Sequence, residues 1–292
     1  MATLHAGKNA VKRAAANPLL ELLERLGYAV RGALYAVMGL LALAIALGAG
    51  GGETTDLSGS LVFLTGNPFG KLVLIVAAIG LAAYSLWGFT RAIYDPLRRG
   101  RDASGYAARL GFVTSALSYA AIVFFALQIL AGSVGTSGDS TRKTIASVLI
   151  HPAGGGLTIL IGLVAIGIGL GQFLEAYRAT FKADLKGAEM SASEQRIVVG
   201  FGRFGMFARG VTFVVIGWFV LQAGVLHDAS QAQGFGGAFL FLLNQPLGRL
   251  LLGVVALGFV ALGLHSFACA RWIRLMGSSP LAPASSRVSA RK

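Results

Sequence analysis

Six long apolar runs dominate the chain, at roughly 28–48, 70–90, 110–132, 156–176, 205–224 and 249–270, each near the about 20 residues a bilayer-spanning helix needs. None shows the period-2 alternation of a membrane-barrel strand, so each predicts a helix. The polar residues that open the runs recur. Arg25-Leu-Gly-Tyr28, Arg109-Leu-Gly-Phe112 and Arg203-Phe-Gly-Met206 precede the odd runs. Asn67-Pro-Phe-Gly70, His151-Pro-Ala-Gly154 and Gln245-Pro-Leu-Gly248 precede the even ones. One two-helix unit is therefore written three times.

Shifts of 84 and 178 residues superpose Gly27, Gly111 and Gly205, then Tyr35, Tyr119 and Phe213, and the prolines Pro68, Pro152 and Pro246. Arg31 meets Ser115 and Arg209, and Gly32 meets Ala116 and Gly210. The middle copy reads as carrying about three extra residues near Gly154-Gly-Gly156, after which Gly80, Gly167 and Gly258 align. The organisation is a segment 1–24, repeats at 25–94, 109–181 and 203–272, and a tail 273–292. Each copy has two spans, so all three run in the same sense and relate by an axis along the membrane normal. The predicted fold is all-α, with six transmembrane helices as three parallel two-helix repeats closing into a pseudo-threefold bundle. A linear row of hairpins is the alternative closure.

Each proline is read at the first helical position, where its missing N–H costs nothing, and Asn67 is a candidate cap for the second helix. Short apolar stretches precede the prolines, at Leu61–Leu64, Val148–Ile150 and Phe239–Leu243. They are too short to span and predict interfacial or partly re-entrant segments. The paired Gly167 and Gly171 read as a close-packing motif.

Composition agrees with burial in lipid. The chain is 55% hydrophobic and 13% charged, against about a quarter charged in soluble domains. The net charge of +13 is a matter of placement, not of nucleic-acid binding. Of the 25 Lys and Arg residues, 21 fall in the N-terminal segment, the second and fourth interhelical connections with their flanks, and the tail; Lys71, Arg142, Lys143 and Arg249 are the other four. That bias predicts cytoplasmic termini and a basic inner face that attracts anionic lipid. With no organelle presequence and no secretory leader in the polar, alanine-rich start, the location it implies is a bacterial inner (plasma) membrane. The lone Cys269 allows no internal disulfide and reads as a small buried hydrophobe.

The pattern Arg-Leu-Gly-Tyr-Ala-Val-Arg-Gly at 25–32, its echo Phe207-Ala-Arg-Gly210 and the proline-led second helices resemble the bacterial membrane family catalogued as domain of unknown function 1206, over roughly residues 25–272. The resemblance implies three tandem two-helix units in a membrane and supplies no reaction. The middle copy departs from the pattern, with Ser115 for the arginine and Ala116 for the glycine.

Candidate chemistry is sparse. Arg31 and Arg209 lie about 8 Å inside the inner helix ends at 1.5 Å per residue. There they can snorkel to lipid phosphates, or line a cytoplasmic vestibule with Ser115, Glu175 and His265 that takes an anion or lipid headgroup. Glu175 is the acid nearest the hydrocarbon, with Arg178 at i+3, or Arg209 or Arg31 at the same depth, as candidate partners. His265 reads first as a histidine satisfying a helix carbonyl. Gln128 and Gln222 coincide under the shift and form a candidate outer polar pair, with structural hydrogen bonding as the plain reading. Gly200-Phe-Gly-Arg-Phe-Gly205 spells a dinucleotide fingerprint but follows no strand. No metal-ligand spacing, nucleophile set or cofactor motif is visible, so no enzyme, metal or cofactor is expected. Two function classes remain. One is a structural or accessory membrane component with anionic lipid or a membrane protein as partner; the other is a small channel or transporter for a neutral or anionic solute. A packed central axis would favour the first.

Overall fold

The computed structural model describes residues 18–48, 70–94, 103–131 and 140–272. The stretch 61–64, Asn67, Pro68, residues 1–17 and the tail 273–292 lie outside them. Among the described residues the chain is helical, with no strand. The long helices are α1 (Pro18–Ala46), α2 (Gly70–Tyr94), α3 (Ala103–Leu130), α5 (Gly154–Arg178), α6 (Ala192–Leu226) and α8 (Gly248–Trp272). The short helices α4 (Ser140–Leu149) and α7 (Phe235–Leu243) precede α5 and α8. Four segments are long and apolar enough to cross a membrane by length and composition: Arg25–Ala46, Gly154–Arg178, Ala192–Leu226 and Gly248–Trp272. Their outer faces carry exposed leucines such as Leu160, Leu163 and Leu170 on α5. Such a face is stable in hydrocarbon and not in water.

The turns into α5 and α8 differ from the sequence expectation. Pro152 and Pro246 stand two residues before the helix, not in its first position. The N–H of Gly154 donates to the His151 carbonyl at 2.8 Å, closing a turn in which Pro152 fixes φ at the second position and Ala153 (φ −91°, ψ 6°) follows. The glycine ending the motif is steric. A Cβ on Gly154 would strike the Val148 carbonyl, and one on Gly248 the Leu243 carbonyl, because the chain doubles back onto the short helix there. In the third copy the turn bends the other way and leaves Leu247 at φ 60°, with its side chain 76% exposed.

α6 begins earlier than its apolar run. Ser191 and Glu194 form a reciprocal capping box, Ser191 N–H to the Glu194 carboxylate at 2.8 Å and Glu194 N–H to the Ser191 hydroxyl at 3.3 Å. The extension, with 3₁₀ turns at Thr180–Asp184 and Gly187–Glu189, makes a base where Leu185 and Val198 are buried with Tyr28 and Cys269. Arg25 donates to the carbonyls of Ala270 and Arg271 at 3.0 and 3.1 Å, satisfying the end of α8.

The helices pack by one repeated rule. Each copy's first helix lies against the second helix of the copy before it: α1 on α8, α3 on α2, α6 on α5. α1 and α6 also pack on their own partners, α2 and α8. Glycines set the approach. A Cβ on Gly263 would stand 2.8 Å from the Gly32 carbonyl oxygen and 3.0 Å from the Ala36 nitrogen. One on Gly169 would stand 2.8 Å from the Gly210 carbonyl oxygen and 3.0 Å from the Val214 nitrogen. In the middle copy Ala116 replaces the first-helix glycine and the partner helix supplies it. A Cβ on Gly88 would come within 2.9 Å of the Ala116 Cβ, and the Ser85 hydroxyl donates to the Ala116 carbonyl at 2.8 Å.

These contacts correct the alignment. Gly169 takes the place of Gly263, the same 94-residue shift that joins Pro152 to Pro246, so the middle copy carries no extra residues. Val164, not Gly167, corresponds to Gly80 and Gly258. Glu175 corresponds to Cys269 rather than Ser266. Gly167 and Gly171 are exposed, and a Cβ on either would meet nothing within 4 Å, so they are not the packing motif of α5; Gly162 and Gly169 are.

The ring has one weak joint. Gly80 packs on Leu26 and Val30 of α1, and Gly258 on Phe204 and Ala208 of α6, at matching positions. In the middle copy Val164 stands there, half exposed, a Cβ on Gly111 would meet nothing within 4 Å, and among the described residues α3 and α5 make no comparable contact. A branched side chain thus stands where the other two copies have a glycine in contact with a helix. The long helices thus contact one another in the order α3, α2, α1, α8, α6, α5, with a seam between α3 and α5 among the described residues.

Two stability outcomes follow, measured by thermal unfolding in detergent. Gly27→Ala and Gly205→Ala each destabilise by about 1–3 kcal/mol through overpacking, whereas Gly111→Ala is neutral or gains up to about 1 kcal/mol of helix propensity; equal losses at all three would refute the seam. Leu247→Gly relieves its left-handed backbone and stabilises by about 1 kcal/mol.

Candidate functional site

Arg31 on α1, Ser115 on α3 and Arg209 on α6 share one repeat position, and Tyr35, Tyr119 and Phe213 follow one turn further along. Tyr35 and Tyr119 are fully buried, and their hydroxyls lie 3.1 Å apart across the axis. Above them aromatic rings fill the space. Phe259 lies 6.0 Å from Tyr35, and Phe235 and Phe239 of α7 pack edge-on to Phe259 at 6.0 and 5.6 Å. α7 is therefore not only interfacial: Phe239 and Leu242 are buried among Tyr35, Met38 and Leu252. Tyr35 is thus packed on both sides, by Tyr119 and by the aromatic residues of α7 and α8.

The two arginines sit in different surroundings. Arg31 donates through Nη1 to the Tyr84 hydroxyl and through Nε to the Ser266 hydroxyl at 3.2 Å. Its guanidinium carbon lies 4.9 Å from the ring centres of both Tyr28 and Tyr84. Tyr84 in turn meets Tyr28 and Tyr119 edge-on at 5.0 and 4.8 Å. The cation is thus held by ring faces and neutral acceptors. Arg209 has only rings, Phe213 at 5.3 Å and Tyr35 at 5.9 Å, and its buried Nε has no hydrogen-bond partner among the described residues.

The repeat explains the difference. Arg31 takes its acceptors from position 84 of its own second helix and position 266 of the preceding one. For Arg209 the corresponding residues are Leu262 and Gln172, so the phenolic acceptor is missing and the hydroxyl is replaced by an amide. Ser115, half-buried on α3, closes the set.

The acids do not join this cluster. Both Glu175 oxygens accept from the Thr180 hydroxyl, and one also accepts from the Phe181 N–H at 2.9 Å. Glu175 therefore caps the turn after α5 and pairs with neither Arg31, Arg209 nor Arg178 among the described residues. Outside the helices, Asp228 accepts from Ser230 and Gln231. Those bonds, the Ser230 hydroxyl first, hold its carboxyl below the usual range.

His265 is buried, with Nδ1 3.0 Å from the Val198 carbonyl, Nε2 3.4 Å from the Cys269 sulfur, and the Phe181 ring edge-on at 5.0 Å. It pins α8 to the base of α6 and belongs to packing there rather than to a vestibule. Gln222 is half-buried on α6, while the Gln128 side chain on α3 lies outside the described residues. The described residues contain no group of three or more His, Cys, Asp or Glu able to hold a metal. Sequence reasoning missed Tyr28 and Tyr84. The available signal was that four of the seven tyrosines, Tyr28, Tyr35, Tyr84 and Tyr119, fall within apolar runs, where a phenolic hydroxyl needs a partner.

Comparison with known proteins adds an independent reading of the repeat. A family profile described as Domain of Unknown Function (DUF1206) matches at residues 26–95, 110–179 and 204–272. These segments start at the same shifts of 84 and 178 and have nearly equal lengths. A protein of Bacillus subtilis (strain 168), named Uncharacterized protein YxxB, is 34% identical over 249 residues, covering 85% of this chain and 90% of the relative. No solved structure matches.

Removing the acceptor of a charged donor costs more than breaking a neutral pair. Tyr84→Phe should destabilise by about 1.5–3 kcal/mol and Tyr35→Phe by about 0.5–1.5 kcal/mol. Detergent unfolding curves check this; a Tyr35→Phe loss equal to or above that of Tyr84→Phe would contradict the ranking.

Proposed function

Because the chain belongs to the family described as Domain of Unknown Function (DUF1206), we propose that it is a six-span inner-membrane protein with a solid core, acting as a structural or accessory component and not as a conduit. In this reading α1, α2, α3, α5, α6 and α8 all cross the bilayer. The termini and the base of 3₁₀ turns lie in the cytoplasm, and the basic inner face meets anionic lipid. The protein carries no catalytic role.

The observation that carries the reading is the closed axis. A channel or an open carrier needs polar or empty volume along the line relating the repeats. Here Tyr35 is bonded to Tyr119 between α1 and α3, and Phe259, Phe235 and Phe239 pack together beside Tyr35, which supports a filled interior. The placement of charge supports the orientation, since the connections on one side hold most of the Lys and Arg residues. The apolar outer faces support the bilayer as solvent.

One reconstitution tests both parts. In a Cys269→Ser background, single cysteines are placed at Ser230, between α6 and α7, and at Ser285 in the tail. An impermeant maleimide should label them from opposite sides of the vesicle. The same proteoliposomes should release encapsulated anions and small neutral solutes no faster than protein-free vesicles. Labelling from one side would overturn the topology, and protein-dependent release the solid-core reading.

A further inference from the structure

We propose that Arg209 is the centre of a lateral binding site for a phosphate group, carried by a lipid headgroup or free in solution, which enters through the seam between α3 and α5. The proposal rests on the membrane placement above but not on the closed axis. It begins from the contrast between two arginines at the same repeat position. Arg31 is satisfied by Tyr84 and Ser266. Arg209 makes no hydrogen bond among the described residues, and its Nε is buried. A guanidinium held inside a helical membrane bundle is costly unless an acceptor or counter-ion meets it. None of the acids described above supplies one, since Glu175 is committed to Thr180 and Phe181.

The surroundings suit a tetrahedral oxyanion. Arginine offers a planar fork of donors that matches phosphate oxygens bidentately. Repeat register places two neutral donors at the same level on the two walls of the seam. Gln172 of α5 stands where Ser266 bonds Arg31, and Ser115 of α3 stands where the other copies have arginine; both are half-buried. At the seam the half-exposed Val164 stands in place of the glycine that packs in the other two hairpins. The copy that lost its own arginine is thus the copy that leaves a side entrance toward the arginine of the next. In the surroundings of Arg209 the phenolic acceptor of position 84 is replaced by Leu262, and the serine hydroxyl of position 266 by the Gln172 amide, which brings two N–H donors beside its carbonyl oxygen.

The test uses the full chain in detergent micelles with three probes: inorganic phosphate, short-chain phosphatidic acid and short-chain phosphatidylcholine. Binding is read by titration and by the shift in thermal midpoint. Phosphatidic acid or inorganic phosphate should bind and raise the midpoint, and which of the two does so identifies the source. Arg209→Gln should weaken that binding by about tenfold or more, equivalent to about 1.4 kcal/mol, and Arg209→Lys by less. Arg249→Gln, at the other end of α8, should leave it unchanged. Gln172→Glu is nearly isosteric and gives Arg209 an internal carboxylate, so it should raise the midpoint without ligand and abolish phosphate binding. Absence of binding by both phosphate probes, equal stabilisation by phosphatidylcholine, or wild-type binding in Gln172→Glu would each overturn the site. Binding in a protein that also conducts would overturn the solid-core reading alone; no binding in a protein that does not conduct would overturn this site alone.

Discussion

Inside a bilayer, helices gain little from hiding apolar surface, because lipid is as apolar as leucine. They must touch closely enough for dispersion and backbone dipoles to hold them. In this protein that contact is the approach of each repeat's first helix to the second helix of the repeat before it. Gly32 against Gly263 and Gly210 against Gly169 are its outer instances, and Ala116 against Gly88 is the middle one. Once these three contacts are made, the first helices are held around a common axis, and the tyrosines and arginines they carry face one another whether or not they are needed there.

The axis that results is an unusual place for cations. Arg31 is accommodated by tyrosine rings, a phenol and a serine, without any carboxylate. Arg209 occupies the equivalent place with rings alone. Aromatic residues then pack the axis outward from this level, helped by α7, which folds its Phe235 and Phe239 back into the bundle. Beside Tyr35 the packing of the described residues is apolar, with Met38, Phe239, Leu252 and Phe259 buried together.

The middle repeat is where symmetry fails, and its departures are connected. Ser115 removes the third arginine, Ala116 moves the packing glycine onto α2, and Val164 removes the glycine that would bring α5 against α3. A threefold ring of identical hairpins would be closed all round and would carry three like charges at one level. This ring carries two, and is open on the side of the repeat that lacks one.

The sequence by itself determined the number of copies, their common sense and their helical character, because spacing of Arg-x-Gly and x-Pro-x-Gly motifs and twenty-residue apolar runs are local properties. It also located Arg31 and Arg209 as one set of equivalent positions and Tyr35, Tyr119 and Phe213 as another. The alignment of the second helices was not legible. The middle copy has so many glycines, from Gly154 to Gly171, that several registers match equally well, and only contact with Gly210 and Val214 singles out Gly169. Nor could the fates of Glu175 and Pro152 be read from spacing, because each is set by a turn a few residues long, Thr180 and Phe181 bonding Glu175 and Gly154 bonding His151. His265 does satisfy a helix carbonyl, but that it is Val198 of α6 is fixed by helices packed from distant parts of the chain. Tertiary structure alone decided that Tyr84 satisfies one arginine and that nothing equivalent satisfies the other. A hydrogen bond needs its acceptor within about 3 Å, and a one-dimensional repeat does not carry that distance.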